Sequence, residues 1–510
     1  MKYEILFSSE NVYKKWYDSS RTNVDVINND INLDAVAEQV LKTSSGFPVQ
    51  IFLYPCNDIN TTKLRAEIFR ELYEKPSVCE SLREYIQQLI KLKKQKQDEF
   101  NSPNPIQKQQ YFLTSVLSYI NCIERLAEII SSLKSKAFVS LYNKFNTIIT
   151  SPEYGKMKIK AENLYERVDN LLGMSLSFDI RNSAVGIREN KSGVMVRLSE
   201  LYENLIGTKL NPGFSIVNSN PISALEEDII NVLKLRSPET FEELAEFYNF
   251  YAKIKFFDII ELKEQLHFYL DYIDFVKQMQ TKGFHFTLPV FTDNNLNAVN
   301  AYDLSLAVKL SDSEAIVSND ISLSKGNLFV LSGPNQGGKT TFVRSVAQNI
   351  VLAQNGCFVA AEKYETPYFD ILLTHFNHSE TLGHGRLEEE LERIREMLSR
   401  LTPDTFVLFN ECFMSTRRID GVELSLKLFD KLFEIGCSGG FVTHYYEIAE
   451  KDERLRSFVA GVKTDGDKDD IRTYKISECP PKSTAYARSI AEKCGITFER
   501  LQELINNEKA

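Results

Sequence analysis

The sequence has little of what would place it in a membrane or an extracellular scaffold. No stretch of its 510 residues approaches the roughly 18 uninterrupted apolar residues of a membrane-spanning helix. The start, Met1-Lys2-Tyr3-Glu4-Ile5-Leu6-Phe7, has no long apolar core and no small-residue cleavage site, so no secretory leader is expected. The eight cysteines (Cys56, Cys79, Cys122, Cys357, Cys412, Cys437, Cys479, Cys494) are scattered without a CxxC pair. That argues against a zinc ribbon and fits a reducing cytoplasm. Positive charge is not in excess: 60 Lys and Arg against 70 Asp and Glu give a formal net charge of −10. Bulk charge speaks to solubility more than to function, and a local basic stripe can still grip phosphates on an acidic protein. There is no internal repeat and no low-complexity tract.

What is present is an ordinary globular composition, 43% hydrophobic and 25% charged, in a chain long enough for two to four structural units. Residues 1–60 form an N-terminal segment of unassigned role, in which β-like runs at 4–7 and 49–53 flank a polar stretch. Residues 61–285 read as a helical region. Leu64, Ile68 and Leu72 recur at helical spacing up to Pro76; residues 101–105 form a linker with two prolines; Val116, Ile120, Ile123, Ala127 and Ile130 give one buried stripe. Ser151-Pro152-Glu153 marks a break and restart. Near 174–198 the period changes to two, with Leu176, Phe178 and Ile180, a turn at Asn182-Ser183, then Val185 and Ile187, which predicts a small β insertion. A long helix is expected from Ser237-Pro238-Glu239, with an aromatic face of Phe247, Tyr248, Tyr251 and Phe256, towards Lys282-Gly283. Residues 286–510 alternate short apolar runs with helical segments, as α/β folds do.

The chemistry concentrates in that last region. Gly333, Pro334, Asn335, Gln336, Gly337, Gly338, Lys339, Thr340 and Thr341 spell a full G-x-x-x-x-G-K-[ST] phosphate loop. An apolar strand (328–331) leads in, and a helical pattern (Phe342, Val343, Val346, Ile350) leads out, the context this motif requires. Glycines let backbone N–H groups curl around phosphate oxygens, and the helix N-terminus adds a favourable dipole. Lys339 would neutralise the β and γ phosphates and Thr340 would coordinate magnesium. Downstream, residues 405–411 form an apolar strand ending in Asn410-Glu411, in the manner of a Walker B strand with asparagine in place of the usual aspartate. Asn410 can accept from a magnesium-bound water without adding charge, and weaker metal retention follows. Glu411 keeps the carboxylate that would orient or deprotonate the attacking water, and it joins Thr340 and Asn410 as a candidate magnesium-site residue. A third strand, 440–443, ends at His444, where an imidazole can reach the γ-phosphate or the water. His375 and His378 read as structural, because no third ligand lies near them in the sequence.

These motifs resemble those of the MutS family. The loop GPNQGGKTT is similar to the family's GPNMGGKST. Ile316 and Val317, within residues 316–320, look like the segment before the loop that lies against the adenine. Asn410-Glu411 with Ser415-Thr416 and Asp420-Gly421 resembles the D-E…T-S-T-x-D-G stretch, residues 441–447 resemble A-T-H-Y-x-E, and residues 483–491 match the closing S-Y-G-I-x-V-A pattern more loosely. The resemblance runs from about Ala315 onward and is architectural over 61–283. It implies a mainly α-helical lever region followed by an α/β P-loop ATPase domain of ABC type. That domain would act as a homodimer, with ATP and Mg2+ sandwiched between one subunit's phosphate loop and the other's signature helix. Here that helix would begin near Gly385 and Arg386, with Gly385 at the family's trans-phosphate serine position. Relatives that read mismatches carry an N-terminal recognition domain and a connector, for which the sequence offers no room.

A clamp on DNA would use lysines and arginines on phosphates, with salt-dependent and weakly sequence-specific affinity. Candidate patches are Lys91, Lys93, Lys94 and Lys96, and Lys156, Lys158 and Lys160, each equally readable as a solvated helix face. The sequence thus supports an ATP-hydrolysing clamp on duplex or branched DNA, in mismatch repair or a related task. The competing expectation is a nucleotide-switched protein scaffold that binds no DNA. An ABC-transporter subunit is disfavoured by the missing LSGGQ signature.

Overall fold

A computed structural model describes residues 4–20, 29–41, 47–172, 176–181, 184–189, 230, 233–253, 257–376, 386–465 and 468–480. The chain divides into two compact units: residues 1–2 with 75–266, and residues 3–74 with 267–510. Residues 3–60 are therefore no separate segment. They fold with the C-terminal α/β region, which differs from the expected boundaries at 60 and 285.

The N-terminal part supplies helices α1 (Glu10–Ser20), α2 (Leu33–Val40), α3 (Phe47–Leu53) and α4 (Ile59–Glu74). Residues 49–53, expected as β-like, lie in α3, and residues 4–6 form a turn with Ile5, Leu6 and Phe7 buried. The α4 stripe of Ile68, Phe69 and Leu72 is fully buried. Pro76 does not merely close α4 but opens the next helix at its first position.

The helical unit contains α5 (Pro76–Asn101), α6 (Pro105–Ile130), α7 (Lys136–Ile149), α8 (Pro152–Leu172), strands β1 (Leu176–Arg181) and β2 (Ala184–Glu189), α9 (Pro238–Tyr251) and the short α10 (Phe257–Ile260). Helix α6 starts cleanly because the Asn104 side chain accepts from the N–H groups of Ile106 and Gln107, with Pro105 just inside. All five residues of its expected stripe are buried. Phe112, Val116 and Ile120 pack against Met157, Ala161 and Leu164 of α8 and Phe241, Leu244 and Phe247 of α9. Strands β1 and β2 form the expected antiparallel hairpin. The helix predicted from Ser237 to Lys282 is instead interrupted: α9, α10 and α11 (Leu262–Thr281) are distinct.

The α/β unit continues through β3 (Val290–Phe291), β4 (Asn295–Ala301), α12 (Leu304–Ala307), β5 (Asn319–Ser324), β6 (Leu328–Ser332), α13 (Lys339–Gln354), β7 (Lys363–Thr366) and β8 (Ile371–Phe376). Then follow α14 (Arg386–Leu398), β9 (Thr405–Asn410), α15 (Arg418–Ile435), β10 (Ser438–Val442), α16 (Glu447–Lys451), β11 (Arg456–Asp465) and β12 (Lys468–Glu478). One sheet has the order β12-β11-β6-β10-β9-β8, parallel except for the antiparallel β12; a smaller mixed sheet has the order β3-β7-β4-β5. Strands β6, β9 and β10 are buried at every position, as near-continuous apolar strands covered on both faces must be. Helix α13 packs on β8, β9 and β10. On the other face Val422, Phe429 and Leu432 of α15 meet Val407, Phe409 and Phe441. Gly440 pairs with Phe329 across β10 and β6, and a Cβ there would fall 2.1 Å from the Phe329 ring, so glycine sets this strand spacing.

The N-terminal helices are tied to α13 by polar contacts. Gln348 donates to the Ile31 carbonyl at 2.7 Å, Arg344 to the Asp30 carbonyl at 3.3 Å, and Asn355 to the Phe52 carbonyl at 2.8 Å. Fully buried Arg65 donates to the Leu6 carbonyl and to Asn355, its guanidinium lying over the Phe7 ring. Buried polar groups this far apart in sequence are paired because leaving them unpaired costs about 1–3 kcal/mol each.

Candidate phosphate-binding site

Strand β10 lies between β6 and β9, so the loop after β6, the end of β9 and the end of β10 all open at one edge of the sheet, where α/β folds place ligands. A cavity of about 370 Å³ forms there, lined by the phosphate loop from Asn335 through Thr341, by Ile316 and Val317, by Asp303 and by Glu411 and Tyr474. The structure thus brings together most of the residues that the motifs single out. Gly333 and Pro334 shape the loop behind it. Gly338 caps α13 in the left-handed region (φ 88°), a conformation glycine adopts without cost.

Lys339 is 5% exposed, and its Nζ donates to the carbonyls of Gly333 (3.0 Å) and Pro334 (2.9 Å). Burial lowers its pKa, opposed by the nearby Glu411 charge. The ammonium is therefore held at the loop by neutral acceptors, which a phosphate oxygen would outcompete. The Glu411 carboxylate accepts from His444 Nε2 at 3.0 Å. That bond holds its pKa below the ordinary 4.5 against the opposing effect of burial, and His444 and Lys339 charges add to the lowering. The Glu411 backbone is in the left-handed region (φ 59°) and its N–H donates to the Val442 carbonyl at 2.9 Å. Asn410 Oδ1 is buried without a hydrogen-bond partner, an acceptor of the kind a magnesium-bound water would satisfy. Thr340 lines the same cavity.

Tyr474 was not singled out by the sequence. It sits half-exposed on β12 with φ 55°, and a Cβ on Gly338 would touch its ring at 3.4 Å. Asn319 of β5 holds it there: its amide donates to the Tyr474 carbonyl (3.2 Å) and accepts from the Ile476 N–H (2.7 Å). Arg472, also on β12, donates to Gln336 at 2.6 Å. A single tyrosine in an alternating strand carries no local signal, so only the fold could reveal it. Among the described non-glycine residues with positive φ, Gln336, Glu411 and Tyr474 all line this cavity, and strain of this sort gathers at functional sites.

The other expected residues fare differently. Arg386 begins α14, while Gly385, His378 and residues 483–491 lie outside the described residues. The reading of His375 as having no third ligand nearby is corrected: Glu390 and Cys412, far away in sequence, come within 4.8 Å of it. Of the lysine patches, Lys158 forms an ion pair with Glu124 at 2.7 Å and Lys96 with Glu99, while Lys91, Lys93, Lys94 and Lys156 are exposed. No helix among the described residues is long and apolar enough to cross a membrane.

Strand, loop, capped helix and strand-end carboxylate together have the arrangement of a P-loop α/β domain. Residues 329–503 match the MutS domain V model. The DNA mismatch repair protein MutS of Geobacillus sp. (strain WCH70) is 28% identical over 231 residues, 43% of this chain and 27% of the relative. That of Streptococcus pyogenes serotype M18 (strain MGAS8232) is 27% identical over 220 residues, 42% of this chain and 26% of the relative. The match spans about a quarter of the length of these curated relatives. The likeness to MutS proteins is thus carried by this C-terminal region, residues 329–503.

Proposed function

We propose that this protein is an ATP-binding and ATP-hydrolysing DNA clamp, serving DNA mismatch repair or a related repair or recombination task. One observation carries the proposal: Lys339 and the loop amides face the same cavity as the ionised, histidine-held carboxylate of Glu411. The loop N–H groups and Lys339 bind the phosphates, and Ile316, Val317 and Tyr474 flank the base. Thr340, Asn410 and Glu411 would hold Mg2+. When bound, Mg2+ supplies neutralisation of charge on the phosphates. Glu411 orients the attacking water and accepts its proton, and the His444 Nε2–H fixes the carboxylate in place.

By family likeness the domain is of ABC type, and a second copy closes the site with its Gly385 and Arg386. Nucleotide binding and hydrolysis then close and reopen a homodimer that encircles or grips duplex or branched DNA with little sequence preference. A second reading, a nucleotide-switched scaffold that binds protein and not DNA, gains from the pairing of Lys158 with Glu124 and of Lys96 with Glu99, which neutralises part of both candidate patches. A low-salt binding assay with duplex, mismatched and branched DNA, with and without ATP, separates the two. Salt-sensitive binding to any of these supports the clamp; no binding to any of them favours the scaffold.

A further inference from the structure

On the face of the sheet opposite α13, behind the phosphate site, three chemically unlike side chains converge. His375 comes from β8, Glu390 from α14 and Cys412 from the loop after β9. All three are buried, at 4%, 8% and 0% exposure. One donor atom from each lies within 4.8 Å of the others, and His375 Nε2 is already 3.5 Å from Glu390 Oε1. Neither ring nitrogen of His375 has a hydrogen-bond partner. Glu390 Oε1 accepts from the Phe413 N–H at 2.9 Å, which holds the carboxylate at this point. A buried imidazole without hydrogen-bond partners is costly unless something satisfies its nitrogens.

We propose that His375, Glu390 and Cys412 form a zinc site of three protein ligands, its fourth position completed by water or by the second Glu390 oxygen. The donor set of imidazole nitrogen, carboxylate oxygen and thiolate sulfur is the one Zn2+ takes. A tetrahedral ion needs donors about 3.3–3.6 Å apart, so the cluster must tighten by about 1 Å at its widest separation. Binding replaces the thiol proton, which leaves to solvent, with a Zn–S bond. With one thiolate, one carboxylate and neutral imidazole, the ligand charges cancel that of the ion, so the filled site is neutral and tolerates burial. Glu390 rides on the same helix as Arg386, and Cys412 directly follows Glu411. The ion therefore staples α14 to the segment carrying Glu411 and to the end of β8.

The test uses the full chain, free of nucleotide, stripped with chelator and titrated with zinc against a chromophoric chelator; a parallel sample is loaded with Co2+. One tight zinc site per chain is expected, with a thiolate-to-cobalt charge-transfer band in the near ultraviolet. Cys412→Ala and His375→Gln should each weaken zinc binding by about 100-fold or more and abolish or alter that band. Wild-type protein with no stoichiometric zinc or no thiolate–cobalt band would overturn the site. So would a folded Cys412→Ala variant with unchanged zinc affinity. The wild-type spectrum decides by itself if the variants do not fold, and no outcome depends on whether the protein binds ATP.

Discussion

The two units of the chain store their irregularities very differently. Every described non-glycine residue with positive φ (Asn32, Asn300, Gln336, Glu411, Phe413, Tyr474) belongs to the unit built from residues 3–74 and 267–510; the described residues of 75–266 contribute none. The described helical unit has an apolar core and a side-chain cap at the start of α6, and several of its cations are matched by carboxylates: Lys158 by Glu124, Arg167 by Glu243, Arg125 by Glu128. In the α/β unit, backbone strain, a buried ammonium and an orphaned amide oxygen meet at one sheet edge. Such costs persist only where the surrounding structure holds them, which marks that edge as the place for chemistry.

That contrast can be broken by mutation. The largest effect is expected at Glu411: Glu411→Gln should lower ATP turnover by about 100- to 10,000-fold while nucleotide binding is kept, read by single-turnover hydrolysis beside equilibrium binding. Unchanged turnover would remove Glu411 from the chemistry. In the helical core, Leu164→Ala should cost about 2–5 kcal/mol of that unit's stability by denaturant unfolding, with nucleotide affinity unchanged. A coupled loss of affinity would contradict the division of labour. Tyr474→Ala should weaken adenine nucleotides by about 5- to 10-fold, in keeping with the loss of about 1 kcal/mol of stacking, and leave inorganic triphosphate unaffected.

The smallest effect concerns pH. Glu411's pKa is lowered in the folded chain chiefly by His444. Its contribution to stability is thus fully present above the ordinary carboxylate value of 4.5 and is lost as pH falls through the lowered one. Turnover should follow the same ionisation, and His444→Gln should shift the acid limb of the rate profile upward. A limb that does not move would mean the pair does not tune the base.

Legibility in the sequence followed the distance between cooperating residues. Residues 333–341 are contiguous, so strand, loop and helix could be read from them; Asn410 ends an apolar strand with Glu411 next to it, and His444 lies two residues past another. The hairpin was legible because its alternation is local. Residues 49–53 were misread because a short apolar run fits either period, and the breaks after Tyr251 and Ile260 carry no proline or glycine to announce them. The docking of residues 3–74 on α13, Tyr474 over the phosphate loop and the convergence of His375, Glu390 and Cys412 depend on tertiary contacts that no spacing encodes.

Titration calorimetry of ATP with Mg2+ into the wild-type chain and into Lys339→Ala tests the central claim most directly. The account predicts saturable binding at one nucleotide per chain in the wild type, weakened by about 100-fold or more in a folded Lys339→Ala variant. Wild-type protein that takes up neither ATP nor ADP, or a variant that binds as well as its parent, would contradict it.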